Sequence, residues 1–382
     1  MKKFDDLIPV LFGRHSQVPN SKSYWDGILA CRVPELRNIS EIFCSANQHT
    51  DRDIIKAFGE NRPSSDQYLL PLAPGWQTNR NPIPVILVPG AGMDAVSFVN
   101  LYNMGFKGIQ QQLVDLGYRV FCLTFAHTHG DNRYQAEVLA HAIAQVKAMC
   151  HVEQVDLVAH SKGGLAARVY IAGLSTATLY RGDIRRMVML GTPNLGIDFA
   201  FRNPAISLPI YLTGSNGVIA WDRMNYLGAP LNTCRQAIYH DGAFPGQSQM
   251  LYKWNDHYPL DMTQPDWWTT YHGGLGFVSH SRGINAAIAD GGDLIARLEK
   301  ADGGAGVELS VLAGDNHMFG PVPGDVSAPS DGMVFVDSVL NTDAMVAGGA
   351  ILKEKTRLKV NHLELLFYRK VIRWVDQQLS SR

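Results

Sequence analysis

Apolar residues along this chain come in two textures. From Pro84 onward, short unbroken runs alternate with stretches whose apolar positions recur every three or four residues. The runs are Val85–Val88 (VILV), Arg119–Phe125 (RVFCLTF), Val155–Ala159 (VDLVA), Met187–Leu190 (MVML), Glu308–Leu312 and Leu358–Val360. Runs of this length, rich in branched residues, predict strands buried on both faces of a sheet. Between them, Ile109, Leu113 and Leu116 predict a helix that Gly117 stops. A longer helix is predicted from Asp131 to about Cys150, with Val138, Ile143, Val146 and Met149 on one face. Further helices are predicted over Gly163–Leu174, Gly292–Lys300 and Leu363–Leu379. Strands alternating with helices imply βαβ crossovers, hence an α/β fold with a doubly wound, mostly parallel sheet.

Two stretches break the alternation. Residues 1–83 carry weak periodicity and many turn formers, and read as an N-terminal extension packed on a core domain that spans 84–382. Residues from about 195 to 290 hold Trp221, Trp254, Trp267 and Trp268, four of the seven tryptophans, among many tyrosines, prolines and glycines. A structureless loop of that length is improbable inside a compact domain, so this segment is expected to form a cap over one edge of the sheet.

Composition narrows the partners. The 382 residues are 46% hydrophobic and 18% charged, enough to bury a sizeable core. The 34 basic and 35 acidic residues nearly cancel, which leaves no electrostatic footprint for nucleic acid and favours a neutral substrate. No apolar run reaches the roughly 18 residues that a spanning helix needs. Leu7–Phe12, after two lysines and two aspartates, is too short for the apolar region of a signal peptide. The expectation is a cytoplasmic chain, with export by another route left open. Five scattered cysteines (31, 44, 122, 150, 234) argue against a disulfide framework or a cysteine zinc site, leaving a single bridge such as Cys31–Cys44 open.

The chemistry concentrates at Val155-Asp-Leu-Val-Ala-His-Ser161-Lys-Gly-Gly164, which has the form A-x-S-x-G. It follows a predicted strand and opens a predicted helix, the context in which a nucleophilic serine sits at a sharp turn. The plainer alternative is a strand–helix turn with Ser161 as a helix cap. A serine hydroxyl needs a base to take its proton, and the base needs an orienting carboxylate. In this architecture the order is serine, acid, then histidine after the last strand. His362, in Val-Asn-His-Leu-Glu, directly follows the last predicted strand. Asp315 and Asp331 both qualify as the acid, and position slightly favours Asp315. Two backbone N–H donors must face the oxyanion. Lys162, next after the serine, supplies one; Ala91 in Pro89-Gly90-Ala91-Gly92-Met93 supplies the other, with Met93 as the fallback.

With these strings in view, the chain resembles the α/β-hydrolases of the bacterial lipase and esterase branch. The matching strings are VILVPGAG, VDLVAHSKGGLAAR, MLGTPNLG, SDGMV and VNHLEL, in that order between residues 84 and 379. The resemblance implies Ser161 as nucleophile, Asp331 rather than Asp315 as acid, His362 as base, and Ala91 and Lys162 as oxyanion donors. Pro89 stands where this branch usually has histidine, and Ala159 where the elbow usually opens with glycine. The extension and the aromatic insertion have no counterpart in the resemblance, which leaves the substrate open.

The resulting expectation is a serine carboxylic ester hydrolase acting on hydrophobic acyl esters, with a lipid interface as one setting, without a cofactor. The alternatives are an acyltransferase, a polyester depolymerase or an amidase using the same nucleophile, or a non-catalytic binding module. The resemblance raises calcium through Glu364, two residues after His362, but no partner ligand is apparent. His127, His129 and Asp131 read as polar loop residues, with metal or substrate binding as the sharper alternative. Asp315, His317 and Asp325 could also suggest a metal. His160 reads as structural, and the aromatic cap as packed core or as a wall for an acyl chain.

Overall fold

The computed structural model describes residues 24–101, 105–226, 228–233 and 235–381; Leu7–Phe12 and Cys234 lie outside them. Nine strands form the main sheet: β1 (Gly27–Arg32), β2 (Gln67–Leu72), β3 (Val85–Val88), β4 (Val120–Cys122), β5 (Thr124–Phe125), β6 (Val155–His160), β7 (Ile184–Leu190), β8 (Glu308–Gly314) and β9 (Ile351–Leu358). Their spatial order is β1-β2-β4-β3-β6-β7-β8-β9, with β5 pairing to β2. From β4 through β9 every pairing is parallel, whereas β1 and β2 run antiparallel at one edge. The central runs β3, β6 and β7 are buried almost throughout because helices cover both faces.

Two features differ from expectation. The sheet begins before the boundary drawn at residue 83, since β1 and β2 belong to it. Gln67–Leu72 is wholly buried yet short and contains Pro71, and Gly27–Arg32 is half exposed, so neither has the texture of a central strand. The last strand is Ile351–Leu358 and ends where the expected strand Leu358–Val360 begins. Its ILKEKTRL sequence is largely exposed because β9 is a sheet edge, where charged residues also discourage pairing with another chain. The Cys31–Cys44 bridge that the sequence left open does not form, and both thiols are free.

Three helices position the later argument. Helix α1 (Asn132–Cys150) is capped by Asp131, whose side chain accepts the Arg133 N–H at 2.7 Å. Helix α2 (Lys162–Ile171) is buried along its whole length behind β6. Helix α3 (Arg369–Ser380) closes the chain, with Val371, Ile372, Val375 and Leu379 on its buried face.

The insertion has a hydrophobic cluster of its own around Phe201, Trp221, Tyr239 and Tyr271. It also contains a four-stranded antiparallel sheet built from Arg223–Tyr226, Ala229–Asn232, Gly274–Leu275 and Ser279–Ser281. Trp221 and Trp254 are buried, while Trp268 is 57% exposed. A buried ion pair sits at its base. Arg202 donates twice to Asp198, at 3.0 and 2.9 Å, and lies 3.7 Å from Asp325. Tyr271 also donates to Asp198, at 2.6 Å. Isolated charges at this depth would be costly, and these are matched from three segments.

At the β6–α2 junction the backbones touch. A Cβ on Gly163 would lie 2.5 Å from the Pro89 carbonyl oxygen and 2.6 Å from that of Val88. Because both contacts are to backbone, neither can rotate away. Gly163→Ala is expected to destabilise the protein by about 1–3 kcal/mol in urea unfolding. At Gly173 a Cβ would have nothing within 4 Å, so the same change there should cost less, only the strain of a left-handed backbone.

Candidate active site

Strand β6 ends in a turn that no ordinary residue adopts without strain. Ser161 has φ +53° and ψ −127°, and its N–H donates to the Leu190 carbonyl at 2.9 Å. A backbone outlier of this kind costs on the order of 1–3 kcal/mol and persists only where its surroundings fix it. Here they do. Pro89–Gly90 lies against the turn, and a Cβ on Gly90 would fall 2.8 Å from His160 Nδ1 and 3.0 Å from the Ser161 Cβ. On the other side, Gly164 faces Thr192 with no room for a methyl group.

Asp331 and His362 come together although 31 residues separate them, the Nδ1–Oδ2 distance being 2.7 Å. Asp331 is fully buried, and its other oxygen accepts the Met333 and Val334 N–H groups at 3.1 and 2.8 Å. The His362 N–H donates to the Asp331 carbonyl at 2.9 Å, which fixes one loop against the other. Because the carboxylate takes the proton on Nδ1, Nε2 is left as an acceptor. Gly191, φ +59°, lies under this pair; a Cβ there would sit 3.0 Å from the Asp331 carboxylate and 3.2 Å from His362 Nδ1. Ser161 and His362 line one cavity, together with Ala91, Met93, His129 and His160.

The alternative acid is elsewhere. Asp315 pairs with Arg357 at 2.7 Å and with Lys359, at the exposed edge beside β9, and those cations hold its carboxyl below the ordinary range against a desolvation that pushes it up. The two oxyanion assignments also separate. Met93 spends its N–H on the Gly90 carbonyl at 3.2 Å. Among the described residues, the Ala91 and Lys162 amides make no backbone hydrogen bond, and Lys162 is the first residue of α2, where amides and the helix dipole favour negative charge.

His160 donates from Nε2 to the His362 carbonyl at 3.0 Å, with ring centroids 4.7 Å apart, so it anchors the loop that carries His362. Of the residues with sharper alternatives, His129 lines the cavity with Ser161 and His362. Among the described residues, no three His, Cys, Asp or Glu side chains converge as a metal cage. Glu364 accepts the Asn361 N–H at 2.8 Å.

Behind the elbow lies a polar cluster that spacing could not reveal. The Lys162 side chain is buried against Gln135, and burial lowers its pKa to about 7. Glu41 is partly buried, raised to about 7 by desolvation, and accepts the Asp131 N–H at 2.6 Å and the Ser65 hydroxyl at 3.0 Å. His127 donates to the Ile42 carbonyl at 3.0 Å and accepts the His129 N–H at 3.1 Å, which uses both ring nitrogens of the neutral form.

These elements combine a mostly parallel α/β sheet, a strained serine between strand and helix, and an Asp–His pair on loops after later strands. Residues 82–189 match the model of the family described as Lipase (class 2). A triacylglycerol lipase of Pseudarthrobacter phenanthrenivorans is 34% identical over 121 residues, 31% of this chain and 35% of that protein. One of Burkholderia plantarii is also 34% identical over 121 residues, 31% of each chain. The chain thus spans about a third of the length of these curated relatives. A lipase of Bacillus licheniformis in its mature form superposes over 79% of this chain and 94% of its own, at 14% identity and a TM-score of 0.43.

Burial pushes both His127 and His129 down to about 3, from an ordinary 6.5. Between those values the unfolded chain binds protons that the folded chain refuses. Their contribution to stability is therefore complete above about 6.5 and is lost as the pH falls toward 3. Urea midpoints are expected to drop steadily from pH 7 to pH 4. His127→Gln, which can keep both hydrogen bonds without titrating, should flatten that slope.

Proposed function

We propose that this protein is a serine carboxylic ester hydrolase. The reading rests on one observation above others: a serine held at a strained elbow shares a cavity with a histidine whose far nitrogen is bound by a buried carboxylate. The partial matches to lipases support it. Ser161 Oγ attacks the ester carbonyl while His362 Nε2 takes its proton, and Asp331 holds the imidazole in the tautomer this requires. The Ala91 and Lys162 amides receive the developing oxyanion, whose stabilisation is commonly worth 10²–10³-fold per donor. The tetrahedral intermediate collapses as His362 protonates the leaving alcohol, giving an acyl-enzyme. Water, deprotonated by His362, then releases the acid and restores the serine.

The substrate class follows from the cavity walls. The insertion contributes Ile206, Ile210, Val218, Ile238 and Leu251 with the aromatic ring of Phe199, and Met333 extends the same apolar character. Among the described residues no Asp, Glu, Lys or Arg lines the cavity, which suits an alkyl acyl chain and disfavours a charged one.

Ser161→Ala is expected to abolish turnover of p-nitrophenyl butyrate and labelling by a fluorophosphonate. Asp331→Asn should lose on the order of 10⁴-fold in kcat and be labelled correspondingly more slowly, because the tautomer is no longer held. Across p-nitrophenyl esters of rising chain length, kcat/KM should climb from acetate to medium-chain acyl groups. Substantial turnover by a folded Ser161→Ala protein would refute the proposal.

A further inference from the structure

The loop that carries Ala91 is gripped from the insertion. The Asn216 side-chain nitrogen lies 3.1 Å from the Gly92 carbonyl oxygen. Its side-chain oxygen lies 2.9 Å from His129 Nε2, and His129 Nδ1 lies 3.0 Å from the Gln247 side-chain nitrogen. The directions of these bonds follow from one fact. A carbonyl oxygen only accepts, so Asn216 must donate to Gly92; its own oxygen must then accept from His129 Nε2–H; and His129 Nδ1 must accept from Gln247. The neutral imidazole this demands is the form that burial imposes.

The chain of bonds continues through the backbone toward the cavity. There are no cis peptides among the described residues, so each C=O points opposite to the N–H of its own peptide. Asn216 fixes the Gly92 carbonyl, and hence the direction of the Met93 N–H. That N–H donates to the Gly90 carbonyl at 3.2 Å, and the same peptide presents the Ala91 N–H on its opposite side. Ala91 lines the cavity shared with Ser161 and His362. Little slack remains: Gly92, at φ +68°, would place a Cβ 2.9 Å from both the Asn216 nitrogen and His129 Nε2.

We propose that Asn216, His129 and Gln247 are positioning residues for the oxyanion donor, forming a relay that runs from Gln247 through His129 and Asn216 to the peptides ending at the Ala91 amide. Two of the three belong to the insertion, so the covering segment helps to build the catalytic geometry as well as the cavity wall. Hydrogen bonds in such a chain polarise one another, which strengthens the last donor as well as aiming it. The proposal rests on the hydrolase reading above, because a relay to an oxyanion donor has meaning only if an oxyanion forms.

The test compares wild type with Asn216→Leu and Asn216→Asp in the full chain. It measures p-nitrophenyl butyrate kinetics, inhibition by an alkyl boronic acid that forms a tetrahedral adduct on serine, and thermal midpoints. Asn216→Leu should lower kcat by about 10- to 100-fold and boronate affinity by a similar factor, with KM changed less than about twofold. Asn216→Asp supplies a readout that a merely structural role would not move. Its ionised carboxylate cannot donate to Gly92, whereas its protonated form can, so the deficit in kcat relative to wild type should shrink as the pH falls from 8 to 5. If Asn216→Leu does not fold, the near-isosteric Asp variant decides alone. A deficit independent of pH, a loss confined to KM, or unchanged kcat in a folded variant would overturn the relay. Wild type that neither turns over the ester nor reacts with fluorophosphonate would instead overturn the hydrolase reading.

Discussion

The structure depends on a close approach of three backbones. Strand β3 ends at Pro89–Gly90, strand β6 ends at Ser161, and helix α2 starts at once beneath them, so near that Gly90, Gly163 and Gly164 have no room for a Cβ. This contact keeps Ser161 at φ +53°, a conformation the chain would leave if the neighbours relaxed. The strain is offset by a central sheet whose strands β3 and β6 are buried throughout. Stability and reactivity are therefore coupled at one point: the packing that closes the core is also what exposes the hydroxyl.

Around that point the chain supports the site from distant segments. Glu41 reaches the start of helix α1 through Asp131, His160 holds the carbonyl of His362, and Asp331 accepts two amides from its own turn. Where burial disfavours charge, as at His127 and His129, the neutral ring finds one acceptor and one donor. A side chain fixed in this way loses little entropy when the reaction begins, which is the physical content of preorganisation.

Much of the central sheet was legible because β3, β6 and β7 are covered on both faces and so read as unbroken apolar runs. The edges were not. Ile351–Leu358 carries Lys353, Glu354, Lys355 and Arg357 because it is an exposed sheet edge, and its identity depends on pairing with Glu308–Gly314, which spacing does not encode. Ser161 and His362 could be found from the order of elements, since each directly follows a strand or its expected end. Position slightly favoured Asp315, the family resemblance selected Asp331, and the fold agrees with the resemblance by setting Asp315 among edge cations and Asp331 against His362. Asn216 and Gln247 lie in an aperiodic stretch, and their meeting with His129 comes from long-range packing across 87 and 118 residues.

The buried Arg202 pairing has a consequence for how this molecule could be recombined. Arg202 ties the base of the insertion to Asp198 within it and to Asp325, whose N–H donates to Gly332 beside Asp331. A covering segment taken from another protein of this fold would not be a free cassette. Grafted without its guanidinium, it would strand carboxylates in a dry interior, an imbalance of the kind that costs about 3–5 kcal/mol. Natural exchange of such segments would therefore have to carry both halves of the rivet together, so the loop bearing the acid and the cover above the site are expected to be inherited as one unit.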